Sequence, residues 1–244
     1  MRVTVALALI GAVLASQPAR AETPCPLPVP AWVADAALPL RLAQARLAER
    51  PVLKIVAIGS SSTQGTGAST PASTYPAQLE ALLRAALPGV RVKVINRGVG
   101  GEDAAQNLAR FDADVLALRP SIVIWQAGAN MAMRRGDPAR FQTLLDRGVE
   151  MLKNDGVDVI LVDSQAAPRV VAAPRNAAFL AAVRETAAEH EVALFPRFAL
   201  MQAWAATAPQ AAAGLIGPDQ LHHTDAGYAC MAHGLAALIL AGLR

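Results

Sequence analysis

Along this chain, short runs of consecutive apolar residues alternate with longer stretches in which apolar residues recur every three or four positions. The runs are Lys54-Ile55-Val56-Ala57-Ile58, Val92-Lys93-Val94-Ile95, residues 121–126, residues 158–163 and a last short one near 191–195. Their length and their turn-forming followers predict strands. Between them, Leu79, Leu82, Leu83 and Leu87 form a helical stripe that stops before Pro88-Gly89. Further helices are expected near 104–110, 138–153 and 176–189. A final helix is expected to begin at the N-cap candidate Thr224, with Met231, Leu235, Leu238 and Ile239 on one face. This βα alternation predicts an α/β domain with a parallel sheet and ligands at the carboxyl ends of the strands. No internal repeat or low-complexity segment interrupts it.

The first residues follow a different pattern. Arg2, the apolar run Val3 to Ala15 and then Ala19-Arg20-Ala21 have the three parts of a secretory signal peptide cleaved after Ala21. The run falls short of the ~20 residues a bilayer span needs. The expected organisation is therefore a signal peptide over 1–21, a Pro-rich arm with a short helix over 22–51, and a single catalytic-sized domain over 52–244. Pro24, Pro26, Pro28 and Pro30 make the arm extended, and Pro39 interrupts the helical stretch that carries Trp32, Leu42 and Leu47. A periplasmic or secreted location follows. At 244 residues, 54% of them hydrophobic, the chain can bury a sizeable core.

Losing residues 1–21 removes Arg2 and Arg20 and no acid, which takes the net charge from +3 to +1. A near-neutral chain without a Lys/Arg stripe or an aromatic platform gives no support for nucleic-acid binding. Export also alters the reading of Cys25 and Cys230, which allow one pairing only. A Cys25–Cys230 disulfide would tie the arm across the last helix, the alternative being two unpaired thiols. Glu22-Thr23-Pro24 before Cys25 lacks the small apolar residues of a lipid-attachment signal.

Candidate chemistry sits at the strand ends. Ser61 lies in Gly59-Ser60-Ser61-Ser62-Thr63 straight after the first run, in a small-residue turn whose hydroxyls can face a ligand. Far downstream, Gly217-Pro218-Asp219-Gln220-Leu221-His222-His223-Thr224 places Asp219 three residues before His222. A short turn lets that carboxylate reach one imidazole nitrogen while the other accepts a serine proton. His223 is the neighbouring competitor and lies outside that spacing. The order Ser, Asp, His is also that of α/β-hydrolases, but Gly-x-Ser-x-Gly is absent, since Thr63 stands two after Ser61. Two more Gly-containing turns follow strands: Asn96-Arg97-Gly98-Val99-Gly100-Gly101-Glu102 and Gly128-Ala129-Asn130.

Together these four segments resemble the SGNH/GDSL hydrolases, whose name-giving residues fall on Ser61, Gly101, Asn130 and His222. The resemblance covers residues 52–243. It implies a three-layer α/β/α sandwich with a mainly parallel five-stranded sheet. It also implies a Ser61–His222–Asp219 triad and an oxyanion hole of the Ser61 N–H, the Gly101 N–H and the Asn130 carboxamide. Three positions differ from the usual pattern: Ser60 stands where Asp is usual, Met131 follows Asn130 where Asp is frequent, and His223 replaces a common Pro. The catalytic groups are all present, and the departures bear on hydrogen bonds around the nucleophile turn.

Other readings fail on particular residues. The cluster Asp219, His222, His223, Asp225 has no Cys partner and no His-x-x-x-His spacing, so no metal is expected. Gly59 to Gly67 lacks the Lys of a phosphate-binding loop, and Gly98-Val99-Gly100 meets Asp103 where a dinucleotide fingerprint needs its third glycine. No cofactor is expected. Gln126, Asp163, Glu102 and Arg169 are softer pocket candidates, for which capping or surface pairing is the competing explanation. The expected function is an exported serine esterase acting on small-molecule or polysaccharide esters, such as acetylated envelope glycans. Acyl transfer to a sugar hydroxyl, lipase or thioesterase activity, and a non-catalytic glycan-binding module are the alternatives.

Overall fold

Each apolar run forms a strand: β1 Val52–Gly59, β2 Arg91–Gly98, β3 Ile122–Gln126, β4 Asp158–Val162 and β5 Ala193–Phe195. The computed structural model describes residues 25–244; the expected signal peptide and its cleavage point lie outside the described residues. The strands pair in parallel in the order β2-β1-β3-β4-β5. Side chains alternate between two cores, as the two-residue period of a strand requires. Leu53, Ile55 and Ala57 of β1, Ile122 and Ile124 of β3, and Ile160 and Val162 of β4 enter one core. Val56, Ile58, Val123, Trp125, Val159 and Leu161 enter the other.

Helices cover both faces. In chain order they are α1 Ala31–Asp35, α2 Arg41–Glu49, α3 Ser61–Gln64, α4 Tyr75–Ala86, α5 Ala104–Ala109, α6 Phe111–Asp114 and α7 Ala129–Met133. Then follow α8 Pro138–Asn154, α9 Pro168–Val171, α10 Asn176–Glu189, α11 Arg197–Thr207, α12 Pro209–Ala213 and α13 Asp225–Gly242. The first core is closed by α1, α2, α4, α11 and α13, the second by α5, α6, α8 and α10. This is the three-layer α/β/α arrangement expected from the sequence. The strands and the helices α4, α5, α8, α10 and α13 fall where the patterns put them, within a few residues. The pattern did not bring out α11 and α12, nor the one-turn helices α3 and α7 just after β1 and β3 and α9, which five residues separate from β4.

One close contact fixes α8 on the sheet. Gly148 of α8 crosses Trp125, where a Cβ would stand 2.4 Å from the indole. Trp125 is wholly buried, meets Phe111 edge-on and donates its Nε1–H to Asn107 Oδ1 at 3.1 Å. On the other face α13 is apolar enough to cross a bilayer by length and composition, but most of it is buried against the sheet. The segment before β1 is strapped to that helix and to α11. Leu40 N–H donates to Gly242 O, Trp204 Nε1–H donates to Pro28 O, and Cys25 is joined to Cys230.

That bond closes a loop of 205 residues in the unfolded chain. The Cys25→Ser/Cys230→Ala double variant should keep its circular dichroism spectrum and lose about 2–5 kcal/mol in urea unfolding. An unchanged midpoint would show that the strap contributes nothing to stability.

Candidate active site

Parallel pairing places the carboxyl ends of β1, β2 and β3 side by side, and the chain leaves β1 toward β2 but β3 toward β4. Connections that diverge in this way open a crevice above the sheet. Ser61 begins α3 just after β1, Gly101 follows β2, and Asn130 lies in α7 just after β3. Asp219 and His222 reach the same crevice from a hairpin between Leu215 and Thr224, closed by a bridge between Ile216 and His223.

The nucleophile turn is compressed against β3. At Gly59 a Cβ would lie 2.6 Å from Thr63 Oγ1 and 2.8 Å from the Gln126 carbonyl, so no side chain fits there. Gln126 is buried, and its Oε1 accepts from both the N–H and the hydroxyl of Ser60, each at 3.1 Å. Thr63 Oγ1 meets the Tyr75 hydroxyl at 3.2 Å. The carboxamide of Gln126 thus serves the turn in which Ser60 replaces the more usual Asp. Burial raises the Tyr75 phenol to about 12, which keeps it neutral.

In the hairpin, Asp219 Oδ1 accepts from the Leu221 and His222 N–H groups, both at 3.0 Å. Its Oδ2 lies 2.5 Å from His222 Nδ1, and His222 Nε2 lies 2.9 Å from Ser61 Oγ. Partial burial acts to raise the Asp219 pKa, but the His222 N–H, the His222 ring and the Leu221 N–H outweigh it and hold the carboxyl down at about 2. An ionised Asp219 only accepts, so Nδ1 carries the proton and Nε2 is left as the acceptor for the Ser61 hydroxyl. Gln220 adopts φ 60°, the left-handed conformation that turns the chain between acid and base. The Gln220 carbonyl accepts from the Arg169 N–H at 3.1 Å, and the Leu221 carbonyl from Gln165 Nε2 at 3.1 Å.

His223 faces the opposite way. It is buried, donates from Nδ1 to Leu215 O at 3.3 Å and meets the Tyr228 ring edge-on. Burial, then the nearby Arg197 charge, push its pKa down to about 3. It is a neutral strut of the hairpin.

The three expected oxyanion donors occupy the loops beyond β1, β2 and β3. Neither the Ser61 N–H nor the Gly101 N–H has a partner among the described residues. Gly101 has φ 80°, and the loop runs so close to Ser61 that a Cβ at Gly100 would stand 4.0 Å from the Ser61 Cβ. Asn130 Nδ2 donates one hydrogen to Glu102 O at 2.8 Å, and its amide has a second to offer. One helical turn later, Arg134 Nη2 donates to Gly101 O at 2.8 Å. Glu102 turns its carboxylate away to Arg110 and Asn107 and is structural.

Below the hairpin lies a buried polar layer. Asp163 Oδ1 accepts from the Phe198 N–H at 2.9 Å, and burial raises this carboxyl to about 7 against the pull of that bond and of Arg197. Arg197 is itself buried and is lowered by burial to about 10. Sequence reading missed Arg197 and Gln165; the available signal was an isolated charge in the apolar stretch Phe195-Pro196-Arg197-Phe198. Arg169 is exposed and contributes its main chain. A cavity of about 520 Å³ with a mixed polar and apolar lining begins at Gln64 and Gly65, the end of the Ser61 turn, and continues past Ser69, Thr70, Pro76, Lys93, Val94 and Asn96. A second cavity of about 510 Å³, mostly apolar, borders the hairpin at Gly217 and Gln220 and runs to Val171 and Met201.

Comparison with known proteins gives the lineage. The sequence model of the non-GDSL lipase-like family matches residues 24–244. Esterase TesA of Pseudomonas aeruginosa is 30% identical over 116 residues, 47% of this chain and 57% of that protein, so the match spans little more than half of the relative's length. Among solved structures, the lipase/acylhydrolase of Enterococcus faecalis aligns with a TM-score of 0.64 at 24% identity, covering 75% of this chain and 93% of that one. The acetylxylan esterase Axe2 of Geobacillus stearothermophilus aligns at 0.62 and 22%, covering 77% and 94%. At these identities the structural likeness is one of fold.

The buried layer sets an opposed pair of pH dependences. Neutral His223, which titrates near 3 when folded and 6.5 when unfolded, contributes stability fully above pH 6.5 and loses it as the pH falls toward 3. Asp163, near 7 when folded and 3.8 when unfolded, contributes fully below 3.8 and loses it as the pH rises through 7. Between about pH 4 and 6.5 the two slopes oppose, each up to about 1.4 kcal/mol per pH unit. In urea unfolding across that range, Asp163→Asn should lose stability more steeply toward acid than the parent, and His223→Gln less steeply. Three parallel curves would contradict both assignments.

Proposed function

The chain belongs to the non-GDSL lipase-like family, and from that footing we propose that it is an exported carboxylic ester hydrolase with Ser61 as nucleophile. The observation that carries this reading is the continuous line from Asp219 Oδ2 through His222 to Ser61 Oγ, with links of 2.5 and 2.9 Å. Ser61 Oγ attacks the ester carbonyl carbon as its proton passes to His222 Nε2, and Asp219 stabilises the imidazolium. The carbonyl oxygen becomes an oxyanion that accepts from the Ser61 and Gly101 N–H groups and from the free hydrogen of the Asn130 amide. When the tetrahedral adduct collapses, the alkoxide leaves with the proton from His222, and Ser61 is acylated. Water then attacks the acyl group, giving its proton to His222; the carboxylic acid leaves, and Ser61 recovers the proton.

For the substrate we propose short acyl groups on a polysaccharide. The cavity that starts at Gln64 and Gly65 combines carboxamides, hydroxyls and a Lys93–Glu80 ion pair with apolar walls from Ala68, Pro71, Pro76 and Val94, a mixture suited to the hydroxyls and ring faces of a sugar alcohol. Axe2, which shares the fold, is an acetylxylan esterase. Export is supported by the leader-like pattern of residues 1–21 and by the Cys25–Cys230 disulfide, a bond that persists in oxidising compartments.

Hydrolysis of p-nitrophenyl acetate and octanoate by the parent and by Ser61→Ala tests the reading. Turnover should favour the acetyl ester in the parent and vanish in the variant. Asn130→Ala should lower kcat by about 100- to 1000-fold and His222→Ala by about 10⁴-fold. A near-parental rate in either would remove that residue from the mechanism. Acetylated xylan should release acetate; transfer to an added sugar acceptor in its place would identify an acyltransferase.

A further inference from the structure

The hairpin that carries Asp219 and His222 is exposed at its tip, where Pro218, Asp219 and Gln220 face solvent. Leu221, by contrast, is buried among Ala129, Ala167 and Val170, an apolar contact that resists withdrawal but sets no direction. Direction comes from hydrogen bonds. Gln165 is the one side chain outside residues 214–224 that hydrogen-bonds the hairpin's main chain, among the described residues; its Nε2 donates to Leu221 O at 3.1 Å. The Leu221 N–H in turn donates to Asp219 Oδ1, and the following residue is His222.

Gln165 is aimed by a buried cation. Arg197 makes no ion pair among the described residues. Its Nε and Nη2 donate to the main-chain carbonyl of Asp163 at 3.0 and 2.7 Å, and Nη2 also donates to Gln165 Oε1 at 2.9 Å. A carboxamide can be turned either way round, but a guanidinium only donates, so it accepts one orientation alone: Oε1 toward Arg197 and the NH2 toward Leu221. A buried guanidinium is expensive to keep. Here it binds the carboxyl end of β4 and selects the direction of the one side-chain amide that reaches the hairpin, beside the Arg169 main-chain N–H on Gln220 O.

We propose that Gln165, oriented by Arg197, is a positioning residue that holds the Asp219–His222 pair in register with Ser61. This rests on the triad reading for its catalytic consequence, while the restraint on His222 exists in the resting protein and can be measured there.

Gln165→Glu separates the restraint from stability. It keeps an acceptor for Arg197 and adds a countercharge, but offers the Leu221 carbonyl no hydrogen. Its thermal midpoint should equal or exceed the parent's. Its kcat on p-nitrophenyl acetate should fall about 10- to 100-fold at a KM within about threefold, the pattern of a misplaced catalytic group. The downfield proton resonance of the His222 Nδ1–H should broaden or disappear. Gln165→Met, which satisfies neither neighbour, should lower both kcat and the midpoint. A Gln165→Glu protein with parental kcat and an unchanged His222 resonance would overturn the proposal. If the parent shows no Ser61-dependent turnover, the hydrolase reading falls, and the resonance alone still decides the positioning role.

Discussion

β1 and β3 pair in parallel, Ile55 beside Ile122 and Ile58 beside Trp125, and then leave that pairing in opposite directions. Both strands are buried on their two faces, so a slip of register would turn every inward side chain toward the wrong core. The register therefore cannot drift, and it sets the place of everything above it. One residue past the Ile58–Trp125 pair, Gly59 lies against Gln126 with no space for a side chain. Ser60 follows and finds the Gln126 carboxamide oxygen with both its donors. Ser61 is then the first residue free of the sheet.

The polar groups under the crevice extend that rigidity. Gln126 fixes the turn on the β1 side, Asn130 and Arg134 hold two successive carbonyls of the loop after β2, and Gln165 holds the hairpin. Gln126, Asn130 and Gln165 lie at or within a few residues of the ends of β3 and β4, the inner strands of the sheet, while Arg134 follows α7 on the surface; each reaches to a segment that has no strand of its own. Arg197 and neutral His223 complete the layer, where burial keeps the imidazole uncharged beside a guanidinium. The site is a set of loops, but two of its anchors, Gln126 and Gln165, are buried side chains at the ends of the inner strands.

The sheet was legible because its strands are short, mostly apolar runs, with single lysines in β1 and β2, set between turn-forming residues, a signal that needs no partner to be seen. The Asp219–His222 pair was legible from local spacing, the acid three residues before the base, whereas joining Ser61 to it, 161 residues away, took the resemblance carried by four separate segments. The single pairing open to two cysteines made the Cys25–Cys230 bond legible too. Gln165 and Arg197 were not, because their bonds join positions tens of residues apart through neither a repeat nor a period. Gln126 could be named as a candidate from its place at a strand end, but that it serves Ser60 depends on the register of two strands. In α11, Leu200, Met201 and Trp204 do lie on one helical face, but the alanines that follow give no clear stop before Pro209.

The hairpin with Asp219 and His222 is among the last segments in chain order, and it is tied on one side to β4 and on the other to α13, which Cys230 links back to Cys25. Ser61, by contrast, is made early and sits at the end of the first strand. Acid and base can meet it only after the sheet has formed and the last helix has closed over it. On the proposed reading, a chain cut before Asp219 would keep the Ser61 turn and lack both of the groups that line up behind its hydroxyl, so the last stretch of the chain decides whether that hydroxyl has a base at all.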